Sequence, residues 1–205
     1  GPFNCLLAYK SPSREEMDLA WKYGLRVIYA SQGLYAAFVD KPEKKRAYLD
    51  QRLVFKGHPA LLAWYVCDEL KAELVPELVE RNLAFRAADP DHPTWIVLDK
   101  PQEARTLIRG YDVIGADPYP IGNHRGGIDI AWGWARKCDA QAYGMRPMWQ
   151  VPQAFDWSYF HKEPDNVRIP TQEEILNMNL QCVAAGANGV FMWAYHHVGQ
   201  SALGC

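Results

Sequence analysis

The amino-acid sequence predicts an α/β fold in which helices cover a parallel β-sheet. Seven short apolar runs alternate with six stretches of helical pattern, and no two runs are joined by a hairpin signal. Strict alternation is typical of a parallel sheet, because parallel strands need a crossover connection that is usually a helix. No run is followed by a glycine fingerprint of the dinucleotide-binding or P-loop type, which disfavours a doubly wound nucleotide-binding fold.

Strands and helices alternate regularly in the first half of the chain. Ser11-Pro12-Ser13 followed by Glu15-Glu16 predicts a helix start, and Gly24 suits the end of that helix. An early proline suits the start of the next helix, residues 41–56. The predicted strands here are residues 3–9, 25–30, 64–67 and 94–98, and a third helix is predicted at residues 75–88.

The alternation continues in the second half. Residues 101–109 are predicted to form a short helix closed by Gly110, and residues 128–142 a longer one after the glycine-rich loop 121–127. Thr171 and Glu174 predict the start of a helix that runs to Gly186. The strands are residues 111–116, 147–151 and 189–195, and the long loop 153–170 is expected to have a functional role or mobility.

The number of strands predicts an incomplete barrel. A (β/α)8 barrel typically needs about 250 residues, and this chain of 205 residues is short by about one βα unit and a final helix. The expected fold class is therefore α/β, TIM-barrel-like, with about seven strands and the first βα unit missing. Open sheet edges tend to pair with other chains, so self-association or a missing segment is expected at the open edge.

Composition limits the classes of partner. Hydrophobic residues make up 49% of the chain, charged residues 22%, and the formal net charge is −2. A chain of this length can bury one sizeable core, and a single catalytic domain over residues 1–205 is expected. Because there is neither a basic block nor an apolar run of membrane-spanning length, we expect no nucleic-acid partner and no membrane partner.

The five cysteines predict neither a zinc site nor a disulfide framework. Their number is odd and none forms a CxxC pair. Cys5, Cys67 and Cys182 lie within apolar runs and are expected to behave as small core residues.

Two carboxylates, Asp68 and Glu69, directly follow the apolar run 64–67. Parallel strands place their carboxyl ends at the functional face of a barrel, so an acid there is well placed for chemistry. The alternative is that Asp68 caps the next helix and Glu69 lies in its first turn. Asp117 is similarly ambiguous, because it ends the strand 111–116 but also precedes Pro118, as a turn-forming aspartate would.

The residues around Glu69 resemble the large TIM-barrel clan of retaining glycoside hydrolases. In that clan the acid/base glutamate ends strand four, commonly in a context like His-Pro…Trp…Asn-Glu. The matching residues here are His58-Pro59, Trp64 and Asp68-Glu69. The run 111–119, with its Tyr119, resembles strand six, and the run 191–195, with its Trp193, resembles strand eight.

The resemblance implies a glycoside hydrolase that acts on a poly- or oligosaccharide, with Glu69 as general acid/base. It also implies a secreted or periplasmic location. No cofactor is expected, and no metal either, because the adjacent His196 and His197 point in different directions and no set of His, Asp or Glu partners accompanies them. Aromatic and polar side chains at the strand ends are then candidates for contact with the sugar. The expected substrate-binding residues are Asp68, Tyr119, Trp149, Gln150, Gln153, Trp193 and His196, and weaker candidates are His124, Arg125, Asp156, Trp157, Tyr159, His161 and His197.

The sequence departs from the clan at two positions. The clan's nucleophile is a glutamate at the end of strand seven, where this chain has only Gln150 and Gln153. An amide cannot ionise, so Asp117 or a residue outside this chain would supply the second carboxylate. Asp68 stands where the clan commonly has asparagine. Two alternatives therefore stay open: a degenerate carbohydrate-binding barrel without the nucleophile, and a barrel enzyme of another class whose likeness is in fold alone.

Overall fold

The computed structural model describes residues 3–32, 41–70, 72–122, 126–160 and 167–194, and there the chain is an α/β protein. Strands and α-helices alternate along the described chain as the sequence predicts, except between β4 and β5, where no α-helix intervenes. The elements are β1 (Cys5–Ala8), α1 (Arg14–Lys22), β2 (Arg26–Ala30), α2 (Pro42–Arg52), β3 (Leu61–Asp68), α3 (Val75–Ala88), β4 (Thr94–Leu98), β5 (Val113–Ala116), α4 (Ile130–Gln141), β6 (Trp149–Gln150), α5 (Gln172–Ala184) and β7 (Gly189–Val190).

The strands follow one another in the sheets in the same order as in the sequence. The larger sheet has the order β1-β2-β3-β4-β5, and β6 pairs with β7 in a second sheet. The pairs β1–β2, β2–β3 and β6–β7 are parallel, and Ile114 of β5 forms an isolated parallel bridge with Met148. A doubly wound sheet reverses its strand order at a switch point. The unreversed order observed here is the one expected of a barrel-like fold.

Local sequence signals explain where the helices begin. Ser13 and Glu16 form a reciprocal capping box at α1, and Thr171 and Glu174 form another at α5. Arg168 Nη2 also lies 2.6 Å from Glu174 Oε1. This hydrogen-bonded ion pair lowers the pKa of the Glu174 carboxyl to about 2. Helices α2 and α3 instead begin with a proline in their first turn, which suits a position whose N–H has no partner in the helix.

The prediction of a helix over residues 101–109 is wrong. Only Pro101–Glu103 form a single turn of 3₁₀-helix, and turns follow as far as Arg109. Lys100 stands at the N-cap and makes no side-chain hydrogen bond there. A short segment without a cap gains too few hydrogen bonds to offset the cost of helix nucleation. The last predicted strand is also shorter, since β7 ends at Val190 and Trp193 forms an isolated bridge with Gln153.

The chain divides into two compact units whose boundaries fall within β4, within the turns after Pro101–Glu103, and within β5. The first comprises Gly1–Ile96 and Thr106–Val113, and the second Val97–Arg105 and Ile114–Cys205. In the first unit the fully buried Trp64 of β3 packs on Phe85 of α3, with ring centroids 5.1 Å apart. Its Nε1 donates to Asp89 Oδ2 over 2.9 Å, so the indole is satisfied at both its apolar and its polar end.

The second unit has its own core between α4, α5 and β7. Its buried members are Ile121, Ala131, Met178 and Cys182, against which Val190 packs. Cys67 and Cys182 are core residues as predicted, Cys5 is half-buried, and the buried Cys138 joins them. Burial raises the pKa of the Cys182 thiol to about 12, so this sulfur stays protonated and behaves as an apolar group. No helix in the described ranges is long and apolar enough to cross a membrane.

Strand β1 stands at the end of the strand order, with apolar side chains exposed beside it. Phe3 is 58% exposed and Leu6 is 47% exposed. The run 3–9 contains neither proline nor a charged residue, and Lys10 follows it. It therefore lacks the prolines and charges that usually protect an edge strand from pairing. Pairing of this edge with a second copy of the chain or a further segment stays a prediction.

Replacing Leu6 by lysine should weaken any self-association through this edge, because a charged side chain on an edge strand opposes pairing. In sedimentation experiments over a range of concentrations, we expect the average mass of Leu6→Lys to fall towards the 23.4 kDa of one chain. Leu19→Lys is the matched control, since Leu19 is 53% exposed on α1 rather than on the strand. A wild type that stays monomeric, or equal masses for all three proteins, contradicts self-association at β1.

Candidate functional site

Asp68 and Glu69 are not helix caps. Asp68 is the last residue of β3, Glu69 follows it, and both are exposed. A 3₁₀ turn, Ala72–Leu74, separates them from α3, whose N-cap is Leu74 and carries no side-chain hydrogen bond. The capping interpretation is therefore wrong, and the two carboxylates stand at the carboxyl end of a parallel strand, where barrel enzymes carry catalytic groups.

The backbone of Glu69 is in the left-handed region, with φ of 45°. A non-glycine residue there costs on the order of 1–3 kcal/mol. The one other such residue in the described chain is Tyr143, with φ of 58°. Tyr143 directly follows the C-cap of α4, where this conformation commonly ends a helix. Glu69 has no such explanation, and unexplained backbone strain of this kind clusters at functional sites.

Tyr65 links Asp68 to an aromatic surface. Burial raises the pKa of the Tyr65 phenol well above its usual value, and the negative charge of the nearby Asp68 carboxylate adds a smaller rise. The hydroxyl therefore stays protonated and remains a donor towards Asp68. The Tyr65 ring stacks at a tilt on Trp95, with centroids 4.8 Å apart, and meets the edge of Tyr9 at 6.1 Å. Tyr9 is 42% exposed, so this cluster offers one accessible aromatic ring, directly after β1.

Asp117 is a buried carboxylate. It follows β5 and is 5% exposed, and residues 117–120 form no turn, so the turn-forming interpretation is wrong. Burial raises the pKa of the Cys138 thiol on α4 to about 12; a hydrogen bond with Gln150 opposes this shift, and the charge of Asp117 adds to it. Asp117 therefore lies in the same electrostatic neighbourhood as Cys138 and Gln150.

The two glutamines of the predicted strand seven bind backbone groups. Gln150 is fully buried, and its Oε1 accepts from Ala116 N over 3.1 Å. Gln153 is also fully buried: its Oε1 accepts from Ile121 N over 2.8 Å, while its Nε2 donates to Ile121 O over 2.9 Å and to Phe155 O over 3.0 Å. Both side chains hold β5 and the loop after it, and contact of either with a sugar stays a prediction.

Aromatic side chains gather after β5 and β6. The ring of Tyr119 meets the edges of Phe155 and Trp157, with centroids 4.9 Å and 6.1 Å away. Phe160 packs 5.2 Å from Phe155 and is 49% exposed. We call Tyr119, Phe155, Trp157 and Phe160 the loop aromatic cluster. Phe155 and Phe160 were not among the residues predicted from the sequence, although the high aromatic content of the loop 153–170 indicates such a cluster.

The remaining predicted residues divide between the two units. Trp149 packs on Phe191 with centroids 5.9 Å apart, and the Trp193 backbone N donates to Pro152 O over 3.3 Å. Asp68 and Glu69 belong to the first unit, and the other predicted site residues that the structure describes belong to the second. That Glu69, Asp117, Gln150 and Trp193 lie close together stays a prediction. Outside the described residues lie His124, Arg125, His161, His196 and His197.

Asp156 caps a short 3₁₀ turn, Trp157–Tyr159, by accepting from Ser158 N over 2.6 Å. This contact gives Asp156 a structural role in the loop. Within the described residues no group of three or more His, Cys, Asp or Glu side chains is arranged to hold a metal ion.

A cavity of about 300 Å³ lies at the amino end of β4, beside His92 and Pro93. Two of its three acidic side chains are paired: His92 Nδ1 lies 2.9 Å from Asp89 Oδ2, and Arg86 Nη1 lies 3.4 Å from Asp112 Oδ1. In barrel folds this amino-terminal face carries stability and the carboxyl face carries chemistry. The cavity is therefore not the candidate site.

Solved structures that resemble this chain in fold include glycoside hydrolases. A β-glucuronidase from an uncultured Clostridium species superposes with a TM-score of 0.66 at 19% identity, covering 94% of this chain and 37% of its own. A β-galacturonidase from Eisenbergiella tayi, bound to galacturonate, gives 0.67 at 17% identity, with 94% and 37% covered. A β-1,4-mannanase from the sea hare Aplysia kurodai gives 0.59 at 14% identity, with 91% and 67% covered.

At these identities the likeness establishes the fold. The predicted fold class, α/β and TIM-barrel-like with about seven strands, is confirmed, and so is the resemblance to TIM-barrel glycoside hydrolases. The chain spans little more than a third of the first two relatives, at 37% of each. No family profile and no curated protein matches the sequence.

The strain at Glu69 predicts an inverted order of stability between two variants. Glycine adopts a positive φ freely and alanine does not, so Glu69→Gly should be about 1 kcal/mol more stable than Glu69→Ala. Denaturant unfolding measures the difference. Glu73, in the 3₁₀ turn that follows, is the control: there the alanine variant should be the more stable. If alanine is also the better residue at position 69, Glu69 is not strained.

Proposed function

We propose that the protein is a glycoside hydrolase acting on a poly- or oligosaccharide, with Glu69 as its general acid. The observation that carries this proposal is the position of Glu69: an exposed carboxylate with a strained backbone at the carboxyl end of β3. The fold of the chain supports it, because solved structures that share this fold include glycoside hydrolases.

The chemistry asked of Glu69 is a proton transfer. The protonated carboxyl donates to the glycosidic oxygen while the bond from that oxygen to the anomeric carbon breaks, so that the leaving group departs as a neutral alcohol. Water supplies the new oxygen on the anomeric carbon and gives up a proton to the second carboxylate, and proton exchange with solvent then restores the protonated Glu69 and the ionised second group. General acid catalysis of this kind contributes about 10²–10⁴-fold to the rate.

We propose Asp117, or a carboxylate outside this chain, as the second catalytic group. The described part of the strand-seven region offers no alternative at its strand end, because Gln150 and Gln153 carry amides. A retaining enzyme holds its two carboxyl groups about 5–5.5 Å apart, and an inverting enzyme about 6.5–9.5 Å apart with a water between them. Asp117 as a general base corresponds to the inverting case.

The aromatic residues suit the faces of sugar rings. A pyranose presents C–H groups that pack on an aromatic face, while its hydroxyls bond at the rim. Tyr9 is the exposed ring of the cluster around Tyr65, and Phe160 is the exposed ring of the loop aromatic cluster. Three further candidates are half-buried: Tyr119, Trp149 and Trp193. Asp68 supplies acceptors for sugar hydroxyls beside Tyr65.

A degenerate barrel that binds carbohydrate without cleaving it is the second candidate. It is favoured by the two buried glutamines, which tie the backbone where a nucleophile would stand. The substrates named for the structural relatives define a panel: aryl β-glucuronides, aryl β-galacturonides and β-1,4-mannan. Turnover of any member supports the hydrolase, and saturable binding without turnover supports the degenerate barrel.

Glu69→Gln should discriminate between leaving groups. The amide keeps the shape of the side chain but cannot deliver a proton, so kcat/KM for an aryl glycoside with a poor leaving group should fall by about 10²–10⁴-fold. With a dinitrophenyl leaving group, which needs no protonation, the loss should be within a few fold. Glu73→Gln is the matched control and should leave both rates unchanged. Equal rates for Glu69→Gln and the wild type would remove Glu69 from the mechanism.

A further inference from the structure

We propose that Arg81 is a positioning residue that fixes the carboxyl ends of β2 and β3 and thereby holds Glu69 in place. The proposal rests on the proposed function of Glu69 and adds a residue that neither the sequence pattern nor the resemblance indicates. Arg81 lies on α3, away from the predicted strand ends, in a helix whose other buried members include Leu78 and Phe85.

Arg81 joins the two strands directly. Its side chain is fully buried, and its Nη1 donates to Ser31 O over 2.7 Å and to Val66 O over 3.2 Å. Ser31 is the residue after β2, and Val66 lies three residues before Glu69. One guanidinium nitrogen therefore bridges the carboxyl end of β2 to β3, at a point three residues before Glu69.

The neighbouring contacts make this bridge rigid. Ser31 N donates to Tyr65 O over 2.6 Å, which continues the pairing of β2 with β3 as far as the bridge. The Tyr48 hydroxyl donates to the same Ser31 carbonyl, and the Arg81 guanidinium lies 5.1 Å from the centre of the Tyr48 ring. The aromatic face and the carbonyl oxygens together compensate a charge that has been withdrawn from water.

A strained residue needs this kind of support. Left-handed backbone at a non-glycine residue persists only where the surrounding structure over-determines it. Glu69 directly follows Asp68, the last residue of β3. Its side chain is exposed and forms no hydrogen bond or ion pair with another described residue. The backbone on either side, β3 before Glu69 and the buried Leu70 after it, then holds this conformation, and Arg81 anchors β3 at Val66.

Arg52 provides a matched comparison. Its guanidinium also lies over the Tyr48 ring, at 3.7 Å, but its Nη1 donates to Tyr48 O and Gln51 Oε1 on its own helix. Replacing Arg52 by methionine removes a cation from the same tyrosine without breaking a described hydrogen bond to β2 or β3. A difference between the two methionine variants reports the bridge to the strands.

The first test measures Arg81→Lys, Arg81→Met and Arg52→Met with poor and good aryl leaving groups. If Arg81 positions the acid, Arg81→Met should lose about 10–10²-fold in kcat/KM with the poor leaving group and less than about threefold with the good one. Arg81→Lys, which keeps the charge but not the fork of donors, should fall between. Arg52→Met should resemble the wild type. Equal losses on both leaving groups would reduce Arg81 to a structural residue and overturn the proposal.

The second test does not need activity. Amide hydrogen exchange at residues 66–70 should be about tenfold faster or more in Arg81→Lys than in wild type, and unchanged in Arg52→Met. Unchanged exchange in Arg81→Lys overturns the positioning role even if Glu69 is the acid. Faster exchange in a protein that cleaves no glycoside supports the anchor and counts against the proposed function instead.

Discussion

The pairing of β2 with β3 at their carboxyl ends is the interaction on which the candidate site depends. Ser31 N closes the pairing on Tyr65 O, and α2 and α3 each send one side chain, Tyr48 and Arg81, to the Ser31 carbonyl. The strand that emerges from this arrangement ends at Asp68 and continues into the left-handed Glu69. A rigid strand end can hold a costly conformation, and a mobile loop would relax it.

In the second unit, side-chain amides rather than an arginine hold the backbone next to a strand end. There the amides of Gln150 and Gln153 bind the backbone at Ala116, Ile121 and Phe155, which fixes the segments on either side of Asp117. A buried amide can satisfy a donor and an acceptor at once, which a carboxylate cannot do. Where the resemblance to glycoside hydrolases implies a strand-seven carboxylate, this chain thus has buried amides that hold the backbone.

Sequence patterns predicted the strands and most helices because each carries a local signal, such as the capping boxes at Ser13 and Thr171. They failed at residues 101–109, where no capping side chain supports the helical pattern. The site was harder to predict. Its carboxylates could be found at strand ends, but the strain at Glu69 and the hydrogen bonds of Arg81 arise from residues far apart in the chain, and no local pattern records them.

The pH dependence of kcat/KM tests the central claim most directly, measured for the wild type and Glu69→Gln on one glycoside with a poor leaving group. A general acid must be protonated to act, so the wild-type rate should fall at high pH as the acid ionises. In Glu69→Gln that alkaline limb should disappear and leave a low, flat rate. A variant that keeps the alkaline limb at the same pH as the wild type would contradict the account, because another group would then be delivering the proton.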